Sequence, residues 1–196
     1  MKKKGIIFFV EGDTDEAFYR KMIQYLHQKK GRFVIDKILY ENIEGITNYK
    51  TRINRVFNKD TKKKCPDYDF IVFLCYDTDV FEYEQHPKID WKEIEKDLRQ
   101  NGAINVVHIK AKKSIEDWFL KDKDNVIKFL KLPNDTKVKG KNGQEQIKYL
   151  FKKANKVYIK GKRCKGFIEA LDMNVILQNV PKELKTIYKI LDVPEE

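Results

Sequence analysis

The sequence is poor in the residues that staple small proteins or hold zinc. Its three cysteines, Cys65, Cys75 and Cys164, form no C-x-x-C pair, and its three histidines lack H-x-x-H-like spacing. A disulfide framework and a zinc centre are therefore excluded, and a reducing compartment is expected. Apolar runs stop at five to seven residues, far short of the roughly 20 that cross a bilayer. No signal-type apolar segment follows the N-terminal lysines, so the expectation is a soluble, cytoplasmic protein. Internal repeats and low-complexity linkers are missing too. There is no Walker A motif, and Gly12 alone makes only part of a Gly-rich phosphate loop, so nucleotide binding is weakly signalled.

What is present is a core and an uneven charge. With 41% apolar content over 196 residues, the chain can bury a core without disulfides. The formal charge is +11; residues 1–108 hold 20 basic and 18 acidic side chains (+2), residues 109–196 hold 21 and 12 (+9). A positive second half attracts nucleic-acid phosphates, although a lysine-rich surface can also serve solubility alone.

Two apolar runs have the same design. Ile6 to Val10 leads into Glu11-Gly12-Asp13, and Phe70 to Tyr76 ends in Asp77-Thr78-Asp79. Continuous apolar runs of this length read as buried strands. Between them a helix is expected from Thr14 or Asp13 as cap to about Gln28, with Phe18, Met22, Tyr25 and Leu26 on one face. A strand over 33–40, a helix over 46–57 and a basic turn over 58–66 follow. Beyond Asp79 come an acidic and aromatic loop to Pro87, a helix over 90–100, a strand over 103–109 and a helix capped by Ser114. The alternation predicts an α/β fold, a mostly parallel sheet flanked by helices. Residues 1–120 form the core, and 121–196 a basic, mainly helical extension packed on it, with helices over 144–154, 166–177 and 181–191. The run Lys156 to Arg163 is left open between a short strand and an ordered loop.

Parallel strands deliver their C-terminal ends to one edge, where open sheets bind ligands. Glu11, Asp77 and Asp79 meet there as oxygen ligands suited to Mg2+ or Mn2+. Without a cation they would repel one another. Such a cation can activate water beside a phosphodiester, and Glu11 can serve either as ligand or as acid/base. Glu116 follows a strand on the same edge, although a first-turn glutamate also favours its helix dipole. Lys112, Lys113, Lys156, Lys160, Lys162 and Arg163 are candidate phosphate contacts, with Lys160 and Lys162 also placed to stabilise developing charge. His108 reads as a packed strand residue.

Three segments together resemble the Toprim fold, particularly its small RloB-like and overcoming-lysine nuclease relatives: Val10 to Tyr19 (VEGDTDEAFY), Asp77-Thr78-Asp79, and Ser114-Ile115-Glu116-Asp117-Trp118. The likeness spans about residues 5–120. It implies a glutamate role for Glu11, a metal-binding pair at Asp77 and Asp79, and a match of Glu116 and Trp118 to a later Glu-x-Trp element. Lys160 or Lys162 would correspond to the basic residues that assist related nucleases. The chain has no room for a topoisomerase gate and lacks a primase's zinc-binding cysteines, leaving a small nuclease. Relatives in mobile defence loci work with a separate ATPase, which implies antiviral defence and such a partner here. The expected function is metal-dependent hydrolysis of DNA or RNA, as an endonuclease. The alternatives are a non-catalytic nucleic-acid-binding regulatory module and a D-x-D metal-dependent transferase.

Overall fold

The computed structural model describes residues 2–30, 33–82, 88–162 and 164–193. In chain order the elements are β1 (Lys3–Val10), α1 (Asp13–Lys30), β2 (Lys37–Asn42), α2 (Tyr49–Arg55), α3 (Lys62–Lys64) and β3 (Tyr68–Asp77). Next come α4 (Trp91–Gln100), β4 (Ala103–Ala111), α5 (Ile115–Phe119), α6 (Lys123–Leu130) and α7 (Gly143–Lys153). Three helices close the chain, α8 (Phe167–Ala170), α9 (Met173–Asn179) and α10 (Pro181–Leu191).

The four strands make one sheet in the order β2-β1-β3-β4, and every pairing is parallel. Alternate side chains of the two central strands therefore enter two different cores. Ile6, Phe8, Val10, Phe73 and Cys75 pack on α1 through Phe18, Tyr19 and Met22, and on the C-terminal helices through Phe167, Ile176, Leu184 and Ile187. Ile7, Phe9, Val72 and Leu74 pack on the opposite layer, Tyr49, Ile53, Phe57, Ile94 and Leu98. Helices on both faces explain why these strands are continuously apolar rather than alternating.

The extension shares the first core, so the basic half of the chain is built onto one sheet face. A further tie is the Lys21 ammonium of α1, which donates to the carbonyls of Ile168, Glu169 and Leu171 at the end of α8. Burial lowers the Lys21 pKa, and Glu169, Asp172 and Asp122 oppose that shift.

Several boundaries differ from the sequence expectation for identifiable reasons. The expected basic turn at 58–66 is helical to Lys64, because Val56, Phe57 and Thr61 are buried in a π-helical stretch, Val56–Thr61. The expected strand at 33–40 begins only at Lys37, with Val34 exposed. The expected helix over 166–177 breaks at Leu171, where the Asp172 side chain accepts from the amides of Asn174 and Val175 and starts α9 anew. The run 156–162 is an irregular strap rather than a strand. The Gly31 helix stop and residues 83–87 of the acidic loop lie outside the described residues. Among the described residues, no helix is long and apolar enough to cross a membrane.

Ile187 of α10 is fully buried against the sheet-side core. Ile187→Ala is expected to cost about 2–5 kcal/mol, with the unfolding transition remaining single. Urea titration followed by circular dichroism checks both; an early separate transition would detach the extension from the core.

Candidate functional site, the acidic edge

The order β2-β1-β3-β4 reverses direction between β1 and β3, and a reversal of this kind opens a crevice beyond the strands' carboxyl ends. Here the β1–β3 ladder ends at the pair Phe9 and Leu74. Beside its end the Tyr49 hydroxyl donates to the carbonyl oxygens of both Phe9 and Cys75, tying the two strands together where they part. Glu11 and Asp77 leave their strands at this crevice.

Each acidic side chain is fixed by backbone. Glu11 Oε1 accepts from Asp77 N at 2.9 Å, joining the ends of the two strands. Asp77 Oδ1 accepts from Ile115 N at 2.9 Å, which uses the first amide of α5. The turn after Asp77 is held by the loop after β4. Thr78 N and Asp79 N donate to Lys113 O at 3.0 and 2.9 Å, and Lys113 N donates to Thr78 Oγ1 at 2.8 Å. Glu116 enters because α5 starts in a capping box, with Ser114 and Asp117 reciprocally bonded. Its Oε1 accepts from the Tyr158 hydroxyl at 3.0 Å, and only 1% of its surface is exposed.

The strap 156–162 completes the site from the extension. Gly12 and Gly161 are in such close contact that a Cβ on Gly12 would lie 2.4 Å from Gly161 Cα. Gly161 itself has φ +76°, a conformation glycine adopts without strain. Asp13 N donates to Gly161 O at 2.7 Å, and Thr14 Oγ1 donates to Lys162 O at 2.8 Å. Thr14 is thus a strap anchor and not the expected helix cap. The anchored strap delivers Lys160, whose Nζ lies 2.7 Å from Asp77 Oδ2 and 3.4 Å from Asp79 Oδ2. The shorter contact is an ion pair without the alignment of a directed hydrogen bond, since Asp77 Oδ2 still has no hydrogen-bond donor.

One ammonium faces five carboxyl groups, those of Glu11, Asp15, Asp77, Asp79 and Glu116. Desolvation raises the pKa of Glu11, against the Asp77 amide and Lys160, which lower it. Desolvation likewise raises Asp77, reinforced by Asp15 and opposed by Lys160. Asp15 is pushed up to about 8 by burial first, then by Glu11 and Glu116. Burial disfavours charge on Lys160, yet Asp77 and Asp79 outweigh it and hold its pKa above the usual lysine value. Tyr158 is raised by burial and by Glu116, so its hydroxyl stays protonated as a donor.

Two buried carboxylate oxygens, Asp79 Oδ1 and Glu116 Oε2, have no hydrogen-bond donor, and Asp77 Oδ2 is met only by the Lys160 ammonium. Buried acceptors of this kind call for a cation. Their chemistry suits a hard divalent ion. Among the described residues, however, no group of three or more His, Cys, Asp or Glu side chains is gathered to hold a metal ion in this arrangement. The ammonium of Lys160 is the cation that faces them.

Of the residues selected from sequence, Glu11, Asp77, Asp79, Glu116 and Lys160 come together. Lys162 does not join them through its ammonium; its side chain is exposed, and its carbonyl makes the contact to α1. Lys156 lies over the Phe129 ring at 4.9 Å, Lys112 and Lys113 are exposed, and Arg163 lies outside the described residues. His108 is tied into β4 packing by Tyr76 and Glu95. Asp15 and Tyr158 were not singled out by sequence. The four-residue step from Glu11 to Asp15 was a usable signal for the first; nothing local marked the second.

Because Asp15 binds a proton more tightly folded than unfolded, its contribution is neutral below about pH 4. It becomes destabilising as pH rises towards 8. In EDTA, Asp15→Asn is expected to melt close to the wild type below about pH 4 and increasingly above it as pH rises towards 8. Scanning calorimetry across that range checks the sign, and a difference independent of pH refutes the assignment. Gly12→Ala is expected to cost about 1–3 kcal/mol by forcing the strap outward, measured by urea unfolding.

Comparison with family models, with curated proteins and with solved structures gives no match for this chain.

Proposed function

We propose that the acidic edge is a metal-dependent phosphodiesterase site and that the chain is a nuclease of the Toprim kind. The observation that carries this reading is the set of buried carboxylate oxygens at the sheet's reversal point, with Asp79 Oδ1 and Glu116 Oε2 lacking any donor and Asp77 Oδ2 met, among the described residues, only by Lys160. Asp77 and Asp79 would hold Mg2+ or Mn2+, with Glu116 or Glu11 completing the set. A cation bound there would neutralise the carboxylates and would supply activated water beside a phosphodiester.

The chain's own groups divide the remaining work. Glu11 is committed through Oε1 to the Asp77 amide, which keeps the strand ends in register. Tyr158 holds Glu116. Asp15, raised by burial and by Glu11 and Glu116, adds a further carboxyl to the charge that a cation would balance. Lys160, whose ammonium faces Asp77 and Asp79, would be the nearest partner for phosphate charge.

The same Lys160 contact favours a second reading. A lysine that balances part of the acidic charge makes a purely regulatory nucleic-acid-binding module self-consistent, with no metal required. Turnover separates the two. Labelled single- and double-stranded DNA and RNA, incubated with Mg2+ or Mn2+, are expected to be cleaved by the wild type. Asp77→Asn and Asp79→Asn are expected to lower the rate at least ~100-fold. Binding without cleavage under every ion condition would leave the regulatory reading standing, and unchanged cleavage in both variants would remove the assigned site.

A further inference from the structure

A second feature lies on the opposite sheet face, beside the same edge. Asp79 opens a 3-10 turn, Asp79–Glu82, that carries Phe81. A cavity of ≈ 670 Å³ is lined there by Phe81, Trp91 and Ile89, with Lys50, Lys88 and Lys92 at its walls. The cavity is wide open to solvent on one side.

The aromatic wall is held in place from behind. Trp91 stacks on Tyr76 at 4.4 Å between centroids and 14° between planes, and meets Tyr49 and His108 edge-on at 5.4 and 5.0 Å. Tyr76 is in turn fixed by a chain of polar contacts. Its hydroxyl is 3.0 Å from His108 Nδ1, and His108 Nε2 is 2.9 Å from Glu95 Oε1. Trp91 nevertheless remains partly exposed, although a tryptophan with these partners could have been fully buried. Tyr76 immediately precedes Asp77, so the aromatic stack and the acidic edge share one strand end.

The charge around the cavity suits an anionic ligand. Lys88 and Lys92 are exposed, and Lys50 pairs with Glu93 at 3.2 Å on the surface. The cavity also touches the first turn of α4, where the Asp90 side chain occupies the Glu93 amide.

We infer that this cavity is a subsite for an unpaired nucleobase, with its phosphates on Lys88 and Lys92, and that the acidic edge therefore acts on single-stranded or locally unpaired nucleic acid. The inference rests on the phosphodiesterase reading of the acidic edge. Bases have apolar faces that stack on Trp and Phe whatever their identity, while their backbone runs beside cationic side chains. In a duplex those faces are already stacked and enclosed, so a paired strand presents only phosphates to the cavity. Single-stranded DNA and RNA share this chemistry.

The test is a fluorescence titration of the full chain in EDTA. The ligands are a 12-nucleotide oligodeoxynucleotide, the oligoribonucleotide of the same sequence, and the corresponding DNA duplex. Both single strands are expected to quench tryptophan emission and bind about ten-fold or more tightly than the duplex. A large preference between the two strands assigns the sugar. Trp91→Phe should retain most binding and lose the quench, because the other tryptophan, Trp118, is buried in the core. Phe81→Ala, and Lys88→Ala with Lys92→Ala, should each weaken single-strand binding about ten-fold, with thermal melting used to verify folding. Equal affinity for duplex and single strands without quenching, or unaltered single-strand affinity in these variants, overturns the subsite. Cleavage of duplex in Mg2+ with no quench in EDTA removes the subsite alone. A quench with no cleavage in any divalent ion removes the hydrolytic reading and leaves the base subsite.

Discussion

The structure depends at its acidic edge on one electrostatic constraint: a buried cluster of carboxyl groups must be balanced, and the described residues bring one ammonium to it, that of Lys160. Asp77 and Glu116 are 2% and 1% exposed, and for Asp77 desolvation at that level disfavours ionisation strongly. Lys160 supplies the nearest positive charge, at 2.7 Å from Asp77. The remaining imbalance appears as the raised pKa values of Glu11, Asp15 and Asp77. Such a site is destabilising in itself and persists because backbone bonds from Asp77 N, Ile115 N and the Lys113 loop hold it.

That constraint gives the C-terminal extension its place. The extension buries apolar side chains on one sheet face, and it also brings the counter-charge. The strap that carries Lys160 reaches the β1–α1 turn only because two backbones meet at Gly12 and Gly161. Its residues alternate in use. Tyr158 and Lys160 turn inward to Glu116 and Asp77, while Val157 and Ile159 stay exposed at 80% and 51%. The positive charge of the second half is therefore not one uniform binding surface. One lysine is structural to the acidic edge, one rests on Phe129, and others face solvent.

The two sheet faces offer different chemistry at the same strand end. Asp77 points to the acidic side and Tyr76 to the aromatic side, as successive residues of a strand must. A ligand lying across the carboxyl ends of β1 and β3 would meet carboxylates on one side and the Trp91 and Phe81 cavity on the other. This is the physical reason to read the two features together.

By itself the sequence determined the central layer and the acidic residues. Continuous apolar runs such as Ile6–Val10 and Phe70–Tyr76 can be stable only as strands covered on both faces, and each ends in a carboxylate that cannot continue into the core. The helix starting at Ser114 was legible for a similar local reason, its capping residues. Tertiary structure decided everything that depends on distant segments meeting. Asp15 reads locally as a helix-start acid and becomes part of the acidic cluster only when Glu11 and Glu116 close on it. Tyr158 and Lys160 read as parts of a basic, aromatic run. Their roles arise 42 residues from Glu116 and 81 from Asp79. Lys162, chemically identical and two residues away, is directed to solvent. Periodicity and capping are local energies that a sequence displays directly, whereas the partner of a buried charge is fixed only when the chain folds back to provide one.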